Sequence, residues 1–355
     1  MPDGKVFKSA GIEKDGWVAP SLGAELAVTF HPQWQTTADW NHAGIGVALS
    51  YWNLAFKQRL GDAIAPYAFI DIPLYTSPHF ILGLRPGIGA AFLTKTYRNT
   101  VPDGHMFVDV TDANQSIGSV FNFYFPESFY LEFPIRNGWG LYAGAGWYHM
   151  SNGSIRQPNS GYNIFSAELG ARYMPEYEQR DIVSAASRRS DNRKKNWELE
   201  FALTGGARQV YYRDQQTFFC GSAQLAAYWR AHNIFRLGGG VDVFYDGSYV
   251  PRETKFGKTD LAKANPNGSD CWRLGLSVQP EFVFGRLTAG FHIGFYLLDP
   301  VKDLEPFKQS TALPERQKKP IFYSYDFLNA GSAGYADGWV YTQIVLRYHL
   351  PWHFF

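Results

Sequence analysis

Within Trp147-Tyr148-His149-Met150-Ser151-Asn152-Gly153, a histidine and a serine stand two residues apart at the close of an alternating apolar segment. Residues i and i+2 of a strand point to the same side about 6.6 Å apart, a gap that an imidazole and a hydroxyl leaning together can close. A serine hydrogen-bonded to a histidine is the minimum machinery for an activated hydroxyl nucleophile. The same residues also have a plain structural reading, with His149 an interfacial polar group and Ser151-Asn152-Gly153 a turn. Residue types alone leave both open.

A nucleophile and base need a third group to hold the imidazole tautomer. After the polar stretch Ser154-Ile155-Arg156-Gln157-Pro158-Asn159-Ser160-Gly161-Tyr162, a second alternating segment begins at Asn163. On the first segment Leu141, Ala143, Ala145, Trp147, His149 and Ser151 share one phase. On the second, Asn163, Phe165, Ala167, Leu169, Ala171 and Tyr173 form the apolar phase, whereas Glu168 shares the opposite phase with Arg172. Parity therefore selects Asn163 over the carboxylate as the partner of His149.

The elements that carry these residues are strands of an unusual kind. Of 355 residues, 17% are Phe, Trp or Tyr and 35 are Gly, a composition rare in soluble enzymes and suited to a membrane barrel with aromatic girdles. No run of 18 apolar residues occurs, so spanning helices are excluded. Period-two alternation recurs from end to end: Leu22, Ala24, Leu26, Val28 and Phe30 against Gly23, Glu25, Ala27 and Thr29, and again from Trp272 to Phe284 and from Leu287 to Leu297. The expected fold is all-β, a single transmembrane antiparallel outer-membrane β-barrel over residues 1–355 with about 14 strands, 12 or 16 being the alternatives. The strands centre near residues 26, 48, 69, 86, 118, 131, 144, 168, 202, 224, 240, 278, 292 and 344, with 94–115 ambiguous.

Residues 20–175 hold the chemical motif, 176–195 form a charged periplasmic connection, and 196–355 supply additional strands. Short turns at Arg136-Asn137-Gly138, Ala231-His232-Asn233 and Gly285-Arg286, against long polar excursions at 248–270 and 300–336, place both chain ends in the periplasm and the 150–161 loop outside the cell. The start, Met1-Pro2-Asp3-Gly4-Lys5, has no apolar stretch, so an export signal is expected to precede this numbering. The end at Phe355, an aromatic after an amphipathic strand, resembles the assembly signal of outer-membrane proteins.

Charge and the remaining motifs narrow the function further. Thirty-three Lys plus Arg balance 32 Asp plus Glu without a basic stripe, so nucleic acid is not an expected partner. The nine histidines are scattered and no acidic cluster has calcium-loop spacing, so no metal or cofactor is expected. Lumen-phase charges, among them Glu25, Arg85, Glu132, Arg172, Glu198, Glu200, Arg230, Arg236, Asp242, Arg273, Glu281 and Arg347, either select a permeant or pair with one another. Cys220 and Cys271 allow one disulfide, with Cys271 beyond its ladder and the bridge tethering the 248–270 loop over the mouth.

The compact motif His149-Met150-Ser151-Asn152-Gly153, followed by Pro158-Asn159-Ser160-Gly161-Tyr162-Asn163, resembles the H-x-S-N signature and P-N-x-G loop of the PagL family of lipid A 3-O-deacylases. Upstream, Gly87-Ile88-Gly89-Ala90-Ala91-Phe92-Leu93-Thr94 and Ser116-Ile117-Gly118-Ser119 are similar to the same family. The resemblance implies that His149 is the base and Ser151 the nucleophile, with Asn152 and the Gly153 amide holding the oxyanion. Some members have Glu where Asn163 stands, and this chain continues for about six further strands. The expected function is that of an integral outer-membrane serine esterase that removes the 3-linked acyl chain of lipid A in lipopolysaccharide. A non-catalytic barrel, as a porin or an accessory subunit of an outer-membrane complex, and a phospholipase are the alternatives; protein partners are not indicated.

Overall fold

The computed structural model describes residues 21–32, 37, 39–101, 113–114, 116–174, 196–209, 216–250, 253–254, 257–258, 271–299 and 340–349. The expected 176–195 connection, the start at Met1, the terminal Phe355 and the 300–336 excursion lie outside the described residues, as does most of the 248–270 loop. The chain divides into two compact units, Met1–Ser190 and Asp191–Phe355.

The first unit is a seven-stranded antiparallel meander in the order β1 Leu22–Phe30, β2 Gly44–Asn53, β3 Asp62–Thr76, β4 Ile81–Leu93, β5 Phe121–Pro134, β6 Trp139–Ser151 and β7 Tyr162–Tyr173. The second has β8 Asn196–Gln209, β9 Thr217–His232, β10 Phe235–Asp246, β13 Trp272–Phe284, β14 Leu287–Leu298 and β15 Val340–Tyr348 side by side, with a small ladder of β11 Glu253–Thr254 and β12 Gly257–Lys258. The thirteen long strands have nine to sixteen residues each, enough to cross a hydrocarbon core when tilted. Their outward phases are exposed and greasy, Leu169 at 88% and Leu199 at 77% of full exposure. Such a continuous apolar surface is incompatible with water and is what lipid requires. The fold is an all-β, antiparallel outer-membrane β-barrel, and no described helix is long and apolar enough to cross a membrane.

The strand expected near residue 118 is absent. Ile117 makes one isolated bridge to Asn159 and is fully buried. Asn114 Oδ1 accepts from the Ser116 and Ile117 amides, while its Nδ2 donates to the Tyr162 hydroxyl and the Lys95 carbonyl. The Tyr97 amide, at the start of the short helix α1 Tyr97–Thr100, donates to the Ile117 carbonyl. These local side-chain bonds divert the backbone from a ladder. Removing one strand from the count reverses the sense of every strand before it. Leu22 pairs with Asn53 and, through successive registers, lies on the rim that carries Ser151. The start of β1 is therefore not on the opposite, periplasmic side where the loop lengths had put it.

Both inner faces are polar and internally paired. In the first unit Arg85 meets Glu25 at 3.3 Å, and Arg172 meets Asp71 at 2.9 Å and Glu132 at 2.8 Å. Toward the rim that carries Ser151 an aromatic core replaces the charges: Trp52 and Tyr148 have ring centroids 4.8 Å apart, and the Trp52 Nε1–H donates to the Tyr124 hydroxyl. In the second unit Arg236 reaches Glu198, Glu200 and Glu281 at 2.7, 2.9 and 2.6 Å, and Arg347 bonds both Glu200 and Glu281. The charges pair mutually instead of standing ready for a permeant.

Cys220 and Cys271 are not joined by a disulfide. β10 lies between their strands, and the Cys220 thiol contacts Asp246 Oδ1 at 3.5 Å, its register partner on β10. The expected bridge does not form because two inter-strand spacings, about 9.6 Å, separate the two strands, beyond the Cα reach of a disulfide.

Glu281, fully buried between Arg236, Arg347 and His292, and Glu198, about a third exposed, distinguish two kinds of ion pair. Glu281→Ala should cost about 3–5 kcal/mol because it strands buried cations. Glu198→Ala should cost under about 1 kcal/mol. Urea unfolding of the refolded protein in lipid bilayers measures both; equal losses would deny the difference in burial.

Candidate active site

The β5–β6 and β6–β7 pairings set the site. Asn137 (φ 54°) and Gly138 (φ 79°) make the tight turn into β6, where the Trp139 amide donates to the Arg136 carbonyl and the Ile135 amide to the Trp139 carbonyl, and this closure sets the register. From there His149 falls opposite Phe125 on β5 and Asn163 on β7, and Ser151 opposite Phe123. His149, Ser151 and Asn163 share the outward phase with exposed Leu141, Phe165 and Leu169. Glu168 occupies the inner phase, where it accepts a hydrogen bond from the Tyr148 hydroxyl.

The three side chains form one hydrogen-bonded line. His149 Nδ1 lies 2.9 Å from Asn163 Oδ1, and His149 Nε2 lies 2.9 Å from Ser151 Oγ. An amide oxygen only accepts, so Nδ1 carries the proton and Nε2 presents its lone pair to the serine hydroxyl. Asn163 Oδ1 also accepts from Trp147 Nε1–H at 3.2 Å. The imidazole is flanked by Trp147 and Phe125, with ring centroids at 5.7 and 6.3 Å and interplanar angles of 30° and 29°. Behind this face Tyr148 and Met150 are buried in the aromatic core with Tyr124 and Tyr162, so the strand cannot roll. With the proton on Nδ1, the arrangement would let His149 Nε2 accept the proton of Ser151 Oγ.

The loop after β6 is held to the 116–121 segment. Asn152, which parity turns inward after outward-facing Ser151, is buried. Its backbone N–H donates to Asn159 Oδ1 at 2.9 Å, and its Nδ2 donates to Ser119 Oγ at 2.7 Å and to the Arg156 carbonyl at 2.9 Å. Each of these donors of Asn152 is thereby engaged, by the loop itself and by Ser119, and the residue ties the loop to the 116–121 segment. Gly153 differs, with φ +62° and nothing within 4 Å of a Cβ built there. Its surroundings are open beside Ser151.

Motif spacing assigned no role to Trp147, and Gly161 entered only as the glycine of the P-N-x-G loop. Trp147 stands in the same i, i+2 phase as His149, a signal that was available. Gly161 has φ +71°, and a Cβ there would lie 2.9 Å from the Met150 carbonyl oxygen, 3.2 Å from His149 Cε1 and 3.3 Å from Ser151 Cβ. The partnerships of Ser119 and Asn114 with this loop are long-range, and local pattern carries no trace of them. No group of three or more His, Cys, Asp or Glu that could hold a metal occurs among the described residues.

Comparison with known proteins adds two family matches. Residues 22–172 match the family described as lipid A 3-O-deacylase (PagL), and residues 197–328 match the acyloxyacyl hydrolase C-terminal domain. No curated protein matches the chain. Among solved structures it is similar to a NanC porin in a rhombohedral crystal form, at 6% identity over 78% of this chain and 82% of that one, with a TM-score of 0.18. So distant a likeness carries no weight for function.

Gly153 and Gly161 both adopt left-handed backbone, so alanine at either pays the same strain of about 1–2 kcal/mol, but only at Gly161 does the new Cβ press on His149. Labelling of Ser151 by a fluorophosphonate should therefore slow by roughly tenfold or more in Gly161→Ala and little in Gly153→Ala. Equal rates in the two variants would show that the loop glycine does not shape the site.

Proposed function

The chain belongs to the PagL family of lipid A 3-O-deacylases, and from that membership we propose a serine esterase that works on its own lipid-facing wall. Membership implies deacylase activity toward lipid A at the outer membrane; the assignment of residues is our own. The observation that carries it is the line Ser151–His149–Asn163, with 2.9 Å at each step, on the phase that also exposes Leu141, Phe165 and Leu169. A lipid approaching that face meets the nucleophile at the rim with its acyl chains along the apolar wall.

His149 Nε2 takes the proton of Ser151 Oγ, which attacks the carbonyl of the 3-linked ester. Asn163 holds the resulting imidazolium through its Nδ1–H. The Gly153 amide donates to the oxyanion, a contact of the kind that contributes about 10²–10³ in rate. His149 then returns the proton to the departing sugar oxygen. In the second half His149 deprotonates water, which attacks the acyl-serine; the Ser151 Oγ–acyl bond breaks, His149 returns the proton to Ser151 Oγ, and the fatty acid is released.

Mass spectrometry of lipid A from cells making the wild-type protein should show the loss of one 3-hydroxyacyl chain. Ser151→Ala and His149→Ala should restore the full acyl pattern while the protein still assembles, and Asn163→Ala should retain part of the activity because it removes orientation and not the nucleophile. Intact lipid A in the presence of wild-type protein would favour a non-catalytic barrel, and lysophospholipid appearing instead would favour a phospholipase.

A further inference from the structure

We propose that Trp147 is a positioning residue whose indole N–H holds Asn163 in the one amide orientation that keeps His149 a base. The inference rests on the Ser151–His149–Asn163 reading above and deepens it.

A carboxylate third member presents only acceptors, so its histidine partner always carries the proton on the facing nitrogen. An amide presents an acceptor at one end and a donor at the other. With the oxygen toward His149, Nδ1 holds the proton and Nε2 is bare. With the NH2 turned toward His149, Nδ1 must accept, the proton moves to Nε2, and that N–H faces Ser151 Oγ with no capacity to take its proton. The orientation of the Asn163 amide therefore decides whether the site is on or off.

Trp147 decides the orientation. Its Nε1 lies 3.2 Å from the same Asn163 Oδ1 that lies 2.9 Å from His149 Nδ1. An indole N–H can only donate. Turning the amide would set its NH2 against that N–H, two donors facing each other, and lose the indole's bond even where the imidazole changes tautomer to keep its own. The indole itself is kept in place by standing two residues before His149 on one face of β6 and lying nearly parallel to the imidazole, with ring centroids 5.7 Å apart.

The test is a double-mutant cycle. Trp147→Phe keeps an aromatic ring beside His149 and deletes only the donor; Asn163→Asp keeps the shape and removes the wrong orientation. In the Asn163 protein, Trp147→Phe should lower kcat by roughly two- to tenfold, the equivalent of one hydrogen bond, with KM little changed. In the Asn163→Asp background the same substitution should change kcat by less than about twofold. A residue that merely packs would lower both backgrounds alike, and that result, or no loss in either, overturns the proposal. Nitrogen NMR of the His149 imidazole gives a second readout that needs no variant: the resting wild-type protein should carry its proton on Nδ1, and an Nε2-protonated resting state overturns the proposal as well. Wild-type hydrolysis by Ser151→Ala would instead overturn the underlying reading of the nucleophile.

Discussion

Side chains on a strand alternate between its two faces, and on β6 that alternation holds two unlike environments back to back. Tyr148 and Met150 belong to the aromatic core with Trp52, Tyr124 and Tyr162, while His149 and Ser151 stand on the exposed face. A slip of one residue would exchange the sets, exposing two core side chains and burying an unsatisfied imidazole and hydroxyl. The position of the site is thus determined largely by residues that never touch a substrate. The same rule sends Asn152 inward immediately after Ser151, where its donors are spent on Asn159, Ser119 and Arg156.

What was legible beforehand follows from this rule, and what was not follows from its limits. The phase of His149, Ser151 and Asn163, and the exclusion of Glu168, need only a period of two. The spurious strand near 118 has the right composition, but Asn114 bonds the Ser116 and Ile117 amides with its own side chain, and a periodicity cannot register that competition. The motif names Asn152 without saying that Asn159, Ser119 and Arg156 engage its donors. The cysteine bridge failed for a distance that depends on strand order, which places β10 between the two positions.

The inner faces show the same division between what pattern reveals and what packing decides. Parity identified Glu132, Arg172, Glu200, Arg236, Glu281 and Arg347 as inward charges. It did not identify Asp71 and Asp299, which bond Arg172 at 2.9 Å and Arg273 at 3.2 Å; His292 falls on the polar phase of its strand, but alternation does not show that it is fully buried against Glu281. With each of these guanidinium groups against a carboxylate, the interior charges compensate one another. Their dense pairing resists separation more than it invites a passing ion, because removing one partner would leave its neighbour charged and dry.

An amide as third member suits this location. A carboxylate would support the imidazolium better, but on a wall packed with Phe125, Phe165 and Leu169 an ionised group carries a desolvation cost that an amide avoids. In the proposed mechanism the flanking rings would offset part of that lost charge support. Trp147 lies parallel to His149 within the range over which a ring quadrupole attracts a cation, and Phe125 lies just beyond it. Such an attraction, about 0.5–1 kcal/mol at exposed sites and more where water is excluded, acts only once the histidine is charged. In the proposed mechanism it would be differential, acting on the state in which the serine proton has moved and not on the resting neutral imidazole, which is the kind of interaction that accelerates a step.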